Sequence, residues 1–585
     1  MSSATYRVRV LPESHVLEVQ LSLSGLPPGP IRLQVPTWVP GAYGFMKYGR
    51  DLYEMEARNA AGPLGIAREG WQGFWVDGAS GEAEIRYRAY AYDPAWGELT
   101  GLVDHEHAVL IGPRYLQAVD HHGPVRVQYQ LPAGWAFHHP AGAREVEPFT
   151  YEYPRFSLFT DTPVVAGGFT QRTRDCTGTP FHFLFLDQTL GFDTQVDRFI
   201  DAVMKVAEAC REIFGSFPFP HYSFVFTFNP HAGWGLEHAT STMIALGPDA
   251  LIDPDEFSRG VRVSAHELFH AWNVCRLKPA PFMRPDFTHG SFTDGLWVAE
   301  GFTRYYEFLL LVRSGAITPE TFLSNVVNYY RQLSSMPAYA RVPVRDSSIT
   351  TFLNHNKYPG STSNTIDYYD HGMLVAFDLD AHLRCAPSPT SLDHEFAAFY
   401  EAFVGKADGF THQDLVGFFG ARTPGTEALI RREVEQAGTL SVPQTLERLG
   451  FQLSDAEQPR LGLVLKQGGA GVENVLDGWA ASKTGLAPGD ELLRVNGFPF
   501  SPKALKWAIG AGTQVALEVR RGHRTLTFQA TPEPRTQPAR LHWRGSAAQL
   551  ELLRSWFGQP ELTFTDGQEL SLAAYDNFHG VQQVL

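Results

Sequence analysis

The segment HELFH, residues 266–270, sets two histidines four positions apart, with a glutamate directly after the first. On a helix, positions i and i+4 share a face, so His266 and His270 are expected to point the same way. Two imidazoles so placed suit one Zn²⁺, and Glu267 beside them suits a base that takes a proton from the attacking water. With 22 His in 585 residues, chance alone supplies roughly 0.05 such patterns per chain, so the motif needs partners. A catalytic zinc takes three protein ligands and keeps one position open for water. The third ligand is expected at Glu300, in LWVAEGFTRYY. No charge precedes it for five positions, and a lone carboxylate among Leu296, Trp297, Val298 and Phe302 is costly to bury unless it is paired or coordinated.

Other histidine groups compete as metal sites: DHEH at 104–107, HH at 121–122 and HH at 138–139. Each falls in a β or loop context without a matching distant ligand, and they are expected to be surface or loop histidines. Metal-bound histidines usually donate their second ring N–H to a carboxylate. Asp294 and Asp367 are candidates for that role by position only.

HELFHAWNVCRLKP followed by LWVAEGFTRYY resembles the glycyl aminopeptidase family of gluzincin zinc metallopeptidases over about residues 1 to 535, including WVPGAY at 38–43. The resemblance implies a β-rich N-terminal domain, a thermolysin-like catalytic domain and a C-terminal PDZ domain. It also implies two further site residues. YYDHG at 368–372 is similar to the segment that supplies a catalytic tyrosine three positions before a glycine, which is Tyr369, with Tyr368 as the alternative. Its phenol would stabilise the oxyanion as it forms. WGLEH at 234–238 resembles a substrate-binding strand, Gly235, Leu236 and Glu237, whose glutamate holds the free ammonium of the substrate; His238 stands where the larger aminopeptidases have asparagine. The implied chemistry is hydrolysis: zinc polarises the scissile carbonyl and activates water, and Glu267 takes a proton and passes it to the leaving amine.

Farther along, GWAASKTGLAPGDELLRVNG looks like the core of a PDZ domain, and RLGLVL (460–465) sits where such domains place the loop that holds a peptide carboxylate. The strand after it is expected to accept a peptide by β-augmentation, unless the groove is covered by packing. The chain's own end, HGVQQVL, carries an apolar leucine that could enter such a groove.

These motifs need elements to hold them. Residues 1–170 read as a β-rich domain: HVLEVQLSLSGL, EAEIRYRAYAY and VRVQYQL alternate apolar and polar residues between Pro/Gly clusters, which predicts a β-sandwich or twisted open sheet. Residues 171–455 read as the catalytic domain. DTQVDRFIDAVMKVAEACREIFGSF predicts an amphipathic helix ending at Gly215, YSFVFTF (222–228) a buried strand, and GLWVAEGFTRYYEFLLLVRSG (295–315) one long helix closing on glycine. Helical patterns continue to about 450. Residues 456–535 read as the PDZ module and 536–585 as an extension with one helix, AAQLELLRSWFG. The fold class is therefore multidomain α+β.

The net charge of −15 argues against nucleic acid or an anionic membrane as main partner. No apolar run approaches the ~18 residues of a spanning helix, and MSSATYRVRV lacks the pattern of a secretory signal. Four scattered cysteines without CxxC pairs suggest free thiols and a cytoplasmic location. The leading reading is a zinc aminopeptidase acting on short peptides, with small first residues such as Gly or Ala implied by the resemblance. The alternatives are a zinc endopeptidase and a peptidase-like binding protein that works through its PDZ domain. Peptide substrates, and a protein or peptide C-terminus in the PDZ groove, are the expected partners.

Overall fold

The computed structural model describes residues 3–39, 41–93, 101–119, 123–186, 191–228, 234–354, 358–466, 469–572 and 584–585. Histidines 121 and 122 lie outside them. The described residues form two compact units, Met1–Phe292 with Phe403–Gly409, and Thr293–Ala402 with Phe410–Leu585. Among them, no helix is long and apolar enough to cross a membrane.

The first unit opens on β structure. Strand Val16–Gln34 buries Leu17, Val19, Leu21 and Leu23 and turns the residues between them outward, as strict alternation requires. It pairs antiparallel with Ser3–Leu11 on one side and Gly73–Tyr90 on the other, at the heart of a ten-stranded sheet. A smaller four-stranded sheet accompanies it. This is the twisted-sheet form of the predicted β-rich domain.

The same unit continues into a five-stranded mixed sheet. Tyr222–Phe228 is its buried central strand, as YSFVFTF predicts, and Trp234–His238 runs antiparallel to Ser241–Leu246 at one edge. A hairpin of the polar strand Thr170–Cys176 with the largely buried strand Thr179–Phe185 completes the other side. Against the sheet lie helix Asp193–Phe214, closed by left-handed Gly215, and helix Pro254–Phe269, which carries HELFH. Asp253 caps the start of the second helix by accepting from the N–H groups of Asp255 and Glu256, and His270 is the C-cap at its other end.

The second unit is helical and then β-rich. Its first helical stretch differs from expectation: Leu296–Ala299 and Gly301–Arg313 are separate helices that meet at Glu300. Hydrogen bonds still run from the Glu300 N–H to Leu296 O (2.8 Å) and from the Arg304 N–H to Glu300 O (2.8 Å). The ladder is bent rather than cut. Helix Tyr368–Arg384 crosses this segment so closely that a methyl group on Gly301 would collide with Gly372, and one on Gly372 with the carbonyl of Trp297. Two glycines thus set the approach of two main chains.

The PDZ module holds the strands Leu463–Leu465, Glu491–Val495 and Val515–Arg521 and helix Pro502–Gly510 around its own apolar core. A long antiparallel ribbon, Phe451–Arg460 with Glu533–Trp543, flanks it. The predicted last helix is Ala547–Phe557. It seats Trp556 and Phe557 in the helical core, where Trp556 Nε1 donates to Tyr305 OH at 2.9 Å. Arg341 and Asp477 (3.1 Å), and Gln537 and Ser335 (2.9 Å), tie module to helices.

Candidate active site

His266 and His270 occupy the end of helix Pro254–Phe269, and their Nε2 atoms stand 3.0 Å apart with the rings near perpendicular at 86°. His270 is fully buried. Its Nδ1 donates to the main-chain oxygen of Asn273 at 2.7 Å, which leaves a lone pair on Nε2. A lone pair aimed at a second imidazole nitrogen needs a cation against it, a proton or a metal. Two nitrogen donors on one helical face, one with its tautomer fixed, fit a zinc ion.

The partner of His270 is thus a carbonyl three residues downstream and not a carboxylate. The two aspartates considered for that role are engaged elsewhere. Asp294 pairs with Arg345 at 2.7 Å, and Asp367 caps its helix by accepting from the N–H groups of Tyr369 (2.9 Å) and Asp370 (3.1 Å).

Glu267 and Glu237 are both buried, and together with His270 they offer ligand atoms within 4.8 Å of one another. Glu237 reaches this place from the edge strand, against which the HELFH helix packs. Two glycines make the fit possible. A methyl group on Gly235 would strike the Glu267 side chain, and one on Gly41 would lie 2.6 Å from Glu237 Oε2. Gly41 also has φ +82°, a backbone setting that favours glycine. It belongs to the WVPGAY stretch, so the β-rich domain helps shape the wall around Glu237. Such a cluster of acid side chains favours a cation as its neighbour.

The next strand residue, His238, is buried with Nδ1 2.9 Å from Asp161 Oδ1. Desolvation, and then the carboxylates of Glu237 and Asp161, push the Cys275 thiol well above the ordinary range, which disfavours its thiolate.

In the second unit Glu300 is buried at the bend between its two helices. Tyr368 and Tyr369 begin helix Tyr368–Arg384, with their rings stacked 4.9 Å apart. Burial, and then the Glu300 carboxylate, push the Tyr368 phenol far up, so it stays protonated; Thr351 Oγ1 donates to it at 3.0 Å. Tyr369 lies under the guanidinium of Arg304, 5.6 Å from its ring centre, and Arg304 forms a buried ion pair with Asp370. The sequence reading did not single out Arg304 and Asp370, although both lie within the quoted motifs. Desolvation pushes the buried His371 down to about 4, and its Nε2 donates to Glu433 O at 2.9 Å.

The competing histidines have local partners. His138 is buried, not a surface residue, with Nε2 2.8 Å from Ser223 Oγ, and desolvation lowers it to about 3. His139 stacks on Tyr151 at 3.9 Å, and His105 meets Asp104 at 2.5 Å.

Comparison with known proteins follows the same division. Residues 259–375, which span every proposed metal ligand and both tyrosines, match the model of the M61 glycyl aminopeptidase. Residues 5–168 match the peptidase M61 N-terminal domain, and residues 439–505 match a PDZ domain. Among solved structures, an aminopeptidase N family protein from Idiomarina loihiensis has the same fold, with a TM-score of 0.85 at 19% identity over 95% of this chain and 100% of that one. Yeast LTA4 hydrolase in complex with bestatin (13% identity, 75% of this chain and 68% of that one) and native leukotriene A4 hydrolase from Saccharomyces cerevisiae (14%, 76% and 70%) match with TM-scores of 0.48. No curated protein sequence matches the chain. Catalytic and N-terminal models of one family, met in order and followed by a PDZ domain, make this chain a metallopeptidase of the M61 glycyl aminopeptidase family.

Proposed function

We propose that the chain is a zinc-dependent aminopeptidase that removes N-terminal residues, small ones such as Gly or Ala, from short peptides. The carrying observation is Glu237, a buried carboxylate on an edge strand whose oxygen lies within 4.8 Å of ligand atoms of Glu267 and His270. An exopeptidase must neutralise the α-ammonium of its substrate one residue from the scissile bond, and a buried carboxylate beside the base serves that need.

His266, His270 and Glu300 would hold the metal, offering two ring nitrogens and a carboxylate oxygen. Zinc bound there supplies Lewis-acid polarisation of the carbonyl and a water with pKa near ~7. Glu267 takes the proton of the attacking water and returns it to the departing amine. Tyr369 donates its phenol hydrogen to the developing oxyanion, held in place by Arg304 and the neighbouring Tyr368 ring. Glu237 fixes the free amino end, with Gly235 and Leu236 alongside the substrate. The domain limits proposed are 1–170, 171–455, 456–535 and 536–585. The four cysteines are all free, which supports a reducing compartment, the cytoplasm.

Metal analysis of purified protein, with hydrolysis of matched free and N-acetylated peptides, tests this reading. One zinc per chain, chelator-sensitive activity and poor cleavage of acetylated peptides are expected. Chelator-resistant activity overturns the zinc assignment, and equal cleavage of acetylated peptides overturns the exopeptidase in favour of an endopeptidase.

A further inference from the structure

The loop that opens the PDZ module is already engaged. The main-chain oxygen of Leu585 accepts from the N–H groups of Leu461 (3.0 Å), Gly462 (2.7 Å) and Leu463 (3.1 Å). In return the Leu585 N–H donates to Leu463 O at 2.8 Å. Leu463 and Leu585 thus exchange both bonds, the pattern of an antiparallel strand pair. Arg460 Nη1 adds a bond to Val584 O at 3.1 Å. The side chains are seated as well. Leu585 is buried within the PDZ core together with Leu463, Leu505 and Ile509, and Val584 is buried with Val464, Leu476 and Trp479, with Met336 of the helical region packed against them. Gly462 has φ +80°, and a methyl group there would run into the Trp479 ring, so the loop is built to aim its amides.

We propose that the chain's own Val584–Leu585 occupies the PDZ groove in cis and that its two apolar side chains set which peptide C-termini can compete for it. A foreign C-terminus then binds only by displacing the tail. Three convergent amides supply the oxygen recognition, and the pocket beneath Leu585 supplies the apolar preference. Val584 is held between Trp479 and the helical region, which extends that preference to the penultimate residue. Tethering gives the tail an effective concentration of roughly 1 mM, so it competes strongly with any free peptide of modest affinity.

The test uses the peptide HGVQQVL with a fluorescent label blocking its amino end, followed by anisotropy against three full-fold proteins. These are the unaltered chain, a chain ending at Leu572, and full-length Leu585→Asp. Leu572 is kept because its carbonyl accepts from Asn328 Nδ2 at 2.8 Å. For a peptide dissociation constant of about 10 μM, both altered chains should bind about 100-fold more tightly than the unaltered one. Equal affinity in all three would show an open groove. Absence of binding to both altered chains, with their thermal transitions unchanged, would show that the loop is no C-terminus site. Should truncation impair folding, hydrogen exchange at Leu461–Leu463 decides on Leu585→Asp alone: faster exchange is expected, and unchanged exchange overturns the proposal. Concentration-dependent dimers of the unaltered chain, lost on Leu585→Asp, would assign the tail to a second copy instead.

Discussion

The HELFH helix and the PDZ loop are both fitted to peptide chemistry, and they are built from different parts of the chain. Around the helix the proposed recognition rests on side chains: His266 and His270 bring ring nitrogens together, and Glu267 and Glu237 bring carboxylates to His270. Around the loop it rests on main-chain amides of Leu461, Gly462 and Leu463, which every residue but proline carries. A side-chain site therefore fails with one substitution of chemistry. The amide contacts of a main-chain site are lost only when the backbone path changes, although the apolar pocket beside them still depends on side chains. Glycine links the two, since Gly235 and Gly41 clear space for carboxylates while Gly462 aims N–H groups.

The sharpest difference should appear at Glu267. Glu267→Gln keeps shape and should retain zinc, while turnover falls by about 10²–10⁴ or more. Zinc loss in this variant would make Glu267 a ligand and redraw the helix site. Next comes Tyr369→Phe, with kcat expected to fall about 10²–10³-fold and KM to change less, since an oxyanion donor acts in the transition state. A collapse in Tyr368→Phe with normal turnover in Tyr369→Phe would transfer the role to Tyr368. At the loop the expected effects are smaller and depend on position. Gly462→Ala should destabilise the PDZ module by about 1–3 kcal/mol in thermal or denaturant unfolding, because the new methyl meets Trp479. Leu463→Met keeps the main-chain bonds to Leu585 and nearly conserves apolar volume in the shared core, so it should change stability by less than about 1.5 kcal/mol. A larger loss from Leu463→Met than from Gly462→Ala would dissolve the contrast between the two regions.

The same contrast explains what could be read from sequence. HELFH and Glu300 stand out because chemistry is written in residue type and spacing, and the alternation of HVLEVQLSLSGL fixes which residues face the sheet core. Features made by backbone alone leave no such mark. The carbonyl that orients His270 comes from Asn273, and any residue there offers one. The bend at Glu300 sits where Gly301 meets Gly372 of another helix, a contact invisible in the apolar periodicity of 295–315, which reads as one helix. The hairpin Thr170–Phe185 escaped because its first strand, TQRTRDC, is polar on both faces and shows no apolar alternation. The ribbon of Phe451–Arg460 with Glu533–Trp543 is obscured by Pro459, Pro534 and Pro538, which break the strand signal. Nothing in the composition of the last residues distinguishes a seated tail from a loose one.

Glu237 is where the central claim is most exposed. The decisive measurement is kcat/KM for one peptide in its free and N-acetylated forms, with the unaltered enzyme and Glu237→Ala. The unaltered enzyme should strongly prefer the free form, and Glu237→Ala should weaken its cleavage by about 2–5 kcal/mol, the range for breaking a buried charge pair, while the acetylated form changes little. Equal cleavage of both forms by the unaltered enzyme, with no effect of Glu237→Ala, would contradict the aminopeptidase assignment.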